Sequence, residues 1–542
     1  MGRAASSRGD RPRGRGERRA AAFDPLEVEV FGHLFASLCE EMGAVLVRAA
    51  FSANIVERRD FSCALFDGAG RLVAQAAHLP VHLGAARASV EAVLGRAGTR
   101  GRGLRRGDVW LLNDPFAGGS HLPDLTLVAP VFLGSGDAPD FLLVDRAHHA
   151  DVGGPFPGSM GPAPDAYWEG LRIPPVRLAR DGEVDADVLD LFLANVRVPT
   201  ERRGDLLAQR AALALGESRL RALAEEYGAD VLRRRADGQI AWTAELAARA
   251  IGKLADGRGS ARDTIELANG GGVELCADVE VRGERLEIDL TRCGDQVAAP
   301  LNAPRAVAES AVFYVVRLLL TEDTPTNHGV LAPLRLTTRP GSVVDAVAPA
   351  AVAAGNTETS QRLVDVLVAA LGPLVRDGLP APSNGSMSNL SFGSGRGASE
   401  SFTHYETHGG GAGAGPSGDG ESGIHCHMTN TRNTPIESIE REMPVRILRT
   451  TLRRGSGGDG ARRGGDGIEK EIEFDEPVRV SWLSGRRTKG PAGARGGGAG
   501  EPGSARVSVG ATVRELEPQD SAELPRGARI EVRTPGGGGF ER

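Results

Sequence analysis

The sequence predicts an α+β, multidomain protein, with mixed sheets, helical segments between them and a β-rich C-terminal region. Three observations carry that prediction. At 542 residues the chain is too long for one compact core, and about three or four domains is the expectation from length. Apolar residues recur at helical spacing in some stretches and alternate, or run in short blocks, in others. The last hundred residues hold only short strand-like runs between glycine-rich loops. Hydrophobic residues make up 41% of the chain and aromatic residues 4%, so the packing must be mainly aliphatic.

Taken in order, residues 1–22 are an arginine- and glycine-rich leader with almost nothing to bury, which reads as disordered. Residues 23–185 form an N-terminal α+β region. Within it, 25–50 carries apolar residues at helical spacing behind Pro25, and 63–75 (CALFDGAGRLVAQ) reads as a hairpin around D-G-A-G. Residues 85–97 read as a helix, and 108–114, 125–133 and 140–149 as three strands. Residues 186–260 form a helical segment with a stop at Gly228. Residues 261–445 form a central α+β region containing alternating strands over 273–291 and helices over 306–320 and 359–372. Residues 446–542 are the β-rich region. Its low-complexity stretches at 458–467 and 490–503 read as flexible, inert surface loops.

Composition excludes several classes. A net charge of −7 argues against a nucleic-acid-binding protein. No apolar run reads as long enough to span a bilayer, nothing near the start reads as a signal-peptide core, and no membrane association is expected. Five scattered cysteines with no C-x-x-C pair suit a reducing cytoplasm; Cys426, between His425 and His427, is the one near other potential ligands. There is no Walker A sequence and no strand–G-x-G-x-x-G–helix unit, so the chain shows no recognised nucleotide site of its own.

Two segments concentrate chemistry. In NDPFAGGSHLPD (113–124), His121 and Asp124 are spaced i, i+3 across Leu-Pro, which lets both side chains converge on one ion from a turn. In AHHADVGG (147–154) strand alternation sends His148 and His149 to opposite sides, so one is a ligand candidate and the other is not. Asp151 could orient a ligating imidazole. Imidazole with carboxylate suits Mn, Fe or Zn. The second dense region, 403–442, has glycine at five of the seven positions 409–415, which permits either close anion approach or tight loop packing. Glu57, Arg58, Arg59 and Asp60 form a charged knot ahead of a strand. Asn384 and Asn389 are turn formers or polar contacts.

Read together, FSANIVERRDFSCALFD, NDPFAGGSHLPDLTLVAPVF, AHHADVGGPFPGSM, NTETSQRLVDVLVAALG, the 406–447 stretch beginning at ETHGGG and the terminal RTPGGGGF resemble the hydantoinase B / 5-oxoprolinase family over about residues 24–541. The resemblance implies a B-type subunit of an ATP-dependent cyclic-amide hydrolase. A hydantoinase A-type ATPase partner would bind ATP and phosphorylate the substrate's carbonyl oxygen, and this chain would complete the hydrolysis in a cytoplasmic hetero-oligomer. It also implies a divalent metal ion (Mn, Fe or Zn) held by His121, Asp124 and one of His148 or His149, with His148 favoured. Asp151, Glu57 and Asp60 are then the candidates to hold or deprotonate water. Asn113, Asp114, Asn384, Glu406, Gly410 and Gly411 are the candidates to bind substrate. Two alternatives stay open: the metal-bearing subunit of an ATP-dependent ketone carboxylase of the acetone or acetophenone type, and a non-catalytic scaffold.

Overall fold

The computed structural model describes residues 25–76, 78–99, 103–398 and 400–542; the leader expected over 1–22 lies outside the described residues. The chain opens with α1 (Pro25–Ala49) and a single turn, α2 (Ala53–Val56). Phe31, Phe35, Leu38, Cys39, Met42 and Leu46 recur at helical spacing along α1 and are all buried. Full burial of each large apolar side chain stabilises by about 1.5–3 kcal/mol. By length and composition α1 is apolar enough to cross a membrane, which corrects the expectation that no run is. Its apolar face is instead spent on the protein core.

A seven-stranded sheet follows, built from β1 (Phe61–Asp67), β2 (Leu72–Gln75), β3 (Val109–Leu112), β4 (Asp124–Val131), β5 (Phe141–His148), β6 (Val176–Arg180) and β7 (Glu183–Val184). Its order is β2-β1-β5-β4-β3-β6-β7, with every neighbouring pair antiparallel. The β1–β2 hairpin turns where Asp67 Oδ1 accepts from the amides of Ala69 and Arg71, and Gly70 takes a φ of 82°. Parity assigns the two faces. Odd-numbered Phe61, Cys63, Leu65, Leu125, Leu127 and Leu143 pack with α1 and the helices α4 (Ala186–Leu193), α5 (Pro199–Tyr227) and α6 (Ala229–Ile251). Even-numbered Ala64, Phe66, Val128, Leu142 and Val144 face α3 (His82–Thr99) and the rest of the chain. Gly228, at φ 89°, separates α5 from α6 where the stop was expected.

Beyond α6, β8 (Gly257–Glu266), β9 (Gly272–Arg282), β10 (Arg285–Asp289) and β11 (Leu334–Thr337) form a second sheet, order β11-β10-β9-β8. The buried helices α7 (Arg305–Arg317) and α8 (Ser360–Leu371) belong to the same core. β12 (Asn389–Ser394) and β13 (Thr403–Glu406) lead through the short helix α9 (Ile436–Glu442) to the last strands: β14 (Val445–Arg453), β15 (Gly467–Phe474), β16 (Val478–Leu483), β17 (Ser504–Val509), β18 (Thr512–Glu515), β19 (Gln519–Leu524) and β20 (Arg529–Arg533). They make sheets of order β13-β12-β16-β19 and β14-β15-β20-β17-β18. The cores run across the boundaries drawn from sequence: α4–α6 share one with α1, and β12 pairs with β16.

The glycine-rich stretches are not loose. Segments 409–415, 457–465, 490–500 and 535–539 interleave as extended chains that hydrogen-bond one another: Gly537 to Gly465, Gly458 to Gly537, Gly539 to Gly498, Gly411 to Pro535. A Cβ at Gly465, Gly537 or Gly411 would lie 1.9 Å from a neighbouring carbonyl oxygen, and one at Gly490 1.7 Å. Only glycine lets backbones approach so closely. This corrects the reading of 458–467 and 490–503 as inert, flexible loops.

Candidate metal centre

The two histidine-bearing turns meet because β4 and β5 are paired in a register that sets Asp124 opposite His148. The β3–β4 connection is built to deliver His121 to the same point. Asp114 caps a 3-10 turn by accepting from the Phe116 amide, Gly118 follows at φ 96°, and β4 begins three residues after His121. Asn113 braces the connection, its amide donating to the carbonyls of Leu122 and Leu171 and its oxygen accepting from Ile173. Asn113 is therefore committed to backbone, while Asp114 divides its oxygens between the Phe116 amide and Arg172, 3.5 Å away.

His121 Nε2 lies 3.0 Å from Asp124 Oδ1 and 3.2 Å from His148 Nδ1, and His148 Nδ1 lies 3.3 Å from the same carboxylate oxygen. All three residues are buried, and they form the compact group able to hold a metal ion among the described residues. Ligand atoms at these separations span an ion bonded at about 2.0–2.2 Å. Two imidazoles with one carboxylate is a donor set for a borderline divalent ion with further positions open. The other atoms of the ligands are fixed from behind. Ser120 Oγ donates to Asp124 Oδ2 at 2.5 Å, with His82 Nε2 at 3.4 Å from that oxygen. His121 Nδ1–H donates to the Ala353 carbonyl at 3.2 Å, while the Asn356 amide donates to Nε2 at 3.2 Å. In the neutral ring these two contacts leave the lone pair on Nε2, the tautomer a ligand needs, whereas the protonated ring donates from Nε2 to Asp124 Oδ1. His148 stacks on Tyr405, centroids 4.6 Å apart and 13° from parallel, and the Arg58 guanidinium covers the Tyr405 ring at 4.9 Å.

The charges are balanced locally. Burial works against ionised Asp124, but His121 and His82 outweigh it and hold the carboxyl well below its usual range. Burial likewise opposes a cationic His121, yet the Asp124 carboxylate holds that imidazole above its ordinary value. For His148 burial wins and its value is lowered.

The remaining site expectations separate. His149 points to the opposite face, as parity requires, with Nε2 2.9 Å from Gln209 Oε1 on α5. It is a core residue and not a ligand. Asp151 has both oxygens occupied, accepting from the amides of Gly153, Gly158 and Arg197 and pairing with the Arg197 guanidinium at 2.9 Å. It shapes the turn and is not available as a base. Glu57 is half-buried and outside the walls of the chamber at the triad. Asp60 does line that chamber, 3.5 Å from Arg58 Nη2. Glu406 is spent on a buried ion pair with Lys470. Gly410 and Gly411 give their amides to Ile424 and Pro535, and the Asn384 backbone N–H donates to the Gly411 carbonyl, so this run packs chain against chain and does not cradle an anion; the Asn384 side-chain oxygen is buried without a partner. Burial pushes the Cys426 thiol up to about 12, which keeps it protonated and inert.

Sequence reasoning missed His82, Asn356 and Tyr405. His82 sits at the first turn of α3 and Asn356 in a single π-helical turn, Gly355–Thr359, ahead of α8. Each lies in a quoted or neighbouring motif, but only the tertiary fold turns it inward.

The profile of the family described as Hydantoinase B/oxoprolinase matches residues 24–541. The chain belongs to this family. It is 38% identical to 5-oxoprolinase 1 of Arabidopsis thaliana over 95% of its own length and 42% of that protein, so this hydantoinase B/oxoprolinase chain spans less than half of that relative. Among solved structures it resembles the ATP-dependent caprolactamase from Pseudomonas jessenii, with a TM-score of 0.87, 28% identity and coverage of 96% and 91% of the two chains. It shares its fold with acetone carboxylase, TM-score 0.86 at 15% identity over 96% and 76% of the chains.

Proposed function

We propose that this chain is the B-type component of an ATP-dependent cyclic-amide hydrolase, completing hydrolysis of a substrate whose carbonyl oxygen a hydantoinase A-type ATPase partner has phosphorylated, in a cytoplasmic hetero-oligomer. The observation that carries the reading is the buried His121–Asp124–His148 triad opening onto a chamber with one carboxylate, Asp60. The triad would hold Mn, Fe or Zn. When bound, such an ion supplies Lewis acidity and lowers the pKa of water, which hydrolysis of an amide needs at neutral pH.

The chain's own residues do the rest. Asp60 accepts the proton of the attacking water and returns it to the ring nitrogen as the C–N bond breaks, which leaves a ring-opened acyl phosphate; a second water then cleaves that to the carboxylate and inorganic phosphate. The chamber is small, about 10 Å³, with room for an ion or one water; Leu79, Val81 and Met387 exclude bulk solvent from it, and the hydroxyls of Thr357, Thr407 and Thr429 line it. Asn356 Oδ1, buried and without a partner, is free to accept from the ring N–H. The absence of a nucleotide motif in the sequence supports leaving ATP to the partner. A ketone carboxylase would use the same centre; the amide hydrolases among the sequence relatives favour hydrolysis.

The test is reconstitution with the A-type partner, ATP and a panel of hydantoin, 5-oxoproline and a simple lactam. ATP-dependent ring opening that requires both chains is expected, and Asp60→Asn should lower kcat by about 100-fold or more. Robust ATP hydrolysis by this chain alone, or ring opening by the partner alone, would overturn the division of labour.

A further inference from the structure

Buried carboxylates in this protein are generally matched to a cation: Glu406 to Lys470, Asp151 to Arg197, Asp365 to Arg486. Glu169 is not. It is buried, and among the described residues it pairs with no cation. A lone buried carboxyl is costly, so its contacts carry the explanation. Oε1 accepts from two consecutive amides, Val352 at 2.7 Å and Ala353 at 2.8 Å, while Oε2 has no partner. The next link is the Ala353 carbonyl, which receives the His121 Nδ1–H.

The segment that delivers Glu169 is itself clamped. The Leu171 amide donates to the Val152 carbonyl, just past the His148 turn, and Asn113 holds Leu171 and Ile173 from the His121 turn. Gly154 lies so close that a Cβ there would be 2.7 Å from the Trp168 carbonyl. One strap therefore ties together the two ligand-bearing turns and the 352–356 segment that supplies both the Ala353 carbonyl and Asn356.

We propose that Glu169 is a positioning residue for the metal centre: by pinning the amides of Val352 and Ala353 it aims the Ala353 carbonyl at His121 Nδ1, and so decides which His121 nitrogen faces Asp124 and His148. The proposal rests on the metal-centre reading. Its physical basis is that a ligating imidazole is held in one tautomer and one ring orientation by the acceptor on its other nitrogen, and loss of such outer partners costs about 10–100-fold in metal affinity. Here the acceptor is a backbone carbonyl, whose direction must be set by something else, and the carboxylate behind it does so.

The test compares wild type, Glu169→Gln and Glu169→Ala by two readouts. The first is Mn2+ and Zn2+ binding to the purified chain by chelator competition. The second is 15N NMR of the histidine rings in the metal-free protein, at a pH high enough that His121 is neutral, with His121 assigned from His121→Gln. E169Q keeps an acceptor oxygen and should retain near-wild-type affinity and a single Nδ1-protonated His121. E169A should weaken binding of either ion by about 10–100-fold and give mixed His121 tautomers. If E169A does not fold, Glu169→Asp, whose carboxylate stops one methylene short of the amides, replaces it. Unchanged affinity and an unchanged His121 ring pattern would overturn the proposal, as would a mere loss of thermal stability with both readouts intact. If wild type binds neither ion, the metal-centre reading fails, and the tautomer measurement still decides what Glu169 does.

Discussion

His148 and His149 are consecutive, share a residue type and are both buried, yet only one belongs to the centre. The reason is strand parity: β5 sends His148 to the face of Asp124 and lets His149 leave towards Gln209 on α5. Two substitutions should therefore diverge. His148→Ala abolishes bound metal, whereas His149→Ala leaves metal stoichiometry intact and lowers stability by about 1–3 kcal/mol, because the buried Gln209 Oε1 loses its partner. Denaturant titration and elemental analysis of the same two variants check both halves, and loss of metal in H149A would contradict the assignment. His121 and Asp124, and the divergence of the two neighbouring histidines, were legible in the sequence because a tight i, i+3 turn and a two-residue period are local properties; which histidine joins Asp124 stayed open there, because the β4–β5 register decides it. Asp151 misled because it is near in sequence, yet its oxygens are consumed by Arg197 and three amides. His82 and Asn356 could not be read at all, since the packing of α3 and the segment before α8 against the sheet turns them inward.

At the scale of elements, the glycine-rich segments show how composition can hide structure. A stretch such as GPAGARGGGAGEPG satisfies every criterion for a flexible linker, and the backbone contacts that order it come from two other stretches, 456–459 and 536–541. Gly465→Ala or Gly537→Ala puts a methyl 1.9 Å from a carbonyl oxygen, and should cost more than about 3 kcal/mol or prevent soluble folding. Gly95→Ala, in α3 with open space around it, should instead stabilise by up to about 1 kcal/mol. Chemical denaturation of the set checks this, and a G537A protein as stable as wild type would return the segment to a loose loop. The helix α1 carries the complementary lesson. Its hydropathy alone fits a membrane span, and only the position of the sheet shows that its apolar face packs on protein.

At the scale of the molecule, three hydrophobic cores among the described residues bring distant segments together, and the candidate centre lies where β4, β5, α3, the 353–356 turn and β13 converge. Much of its polar interior is neutral histidine. Burial lowers His149, His404, His408 and His425 to about 4, against an ordinary value near 6.5. Between those two values the unfolded chain binds more protons than the folded one, so stability rises with pH across the window and falls on acidification. The thermal midpoint of the metal-free chain should drop by about 5 °C or more from pH 7 to pH 5. His404→Gln with His408→Gln should blunt the drop, and a flat profile would contradict it. The central claim, however, is the metal. Elemental analysis of the purified whole chain should find close to one Mn, Fe or Zn per chain in the wild type and none in a His121→Ala/Asp124→Asn double variant that keeps the wild-type circular dichroism spectrum. Equal metal content in the two proteins, or none in the wild type under metal-replete expression, would contradict the account.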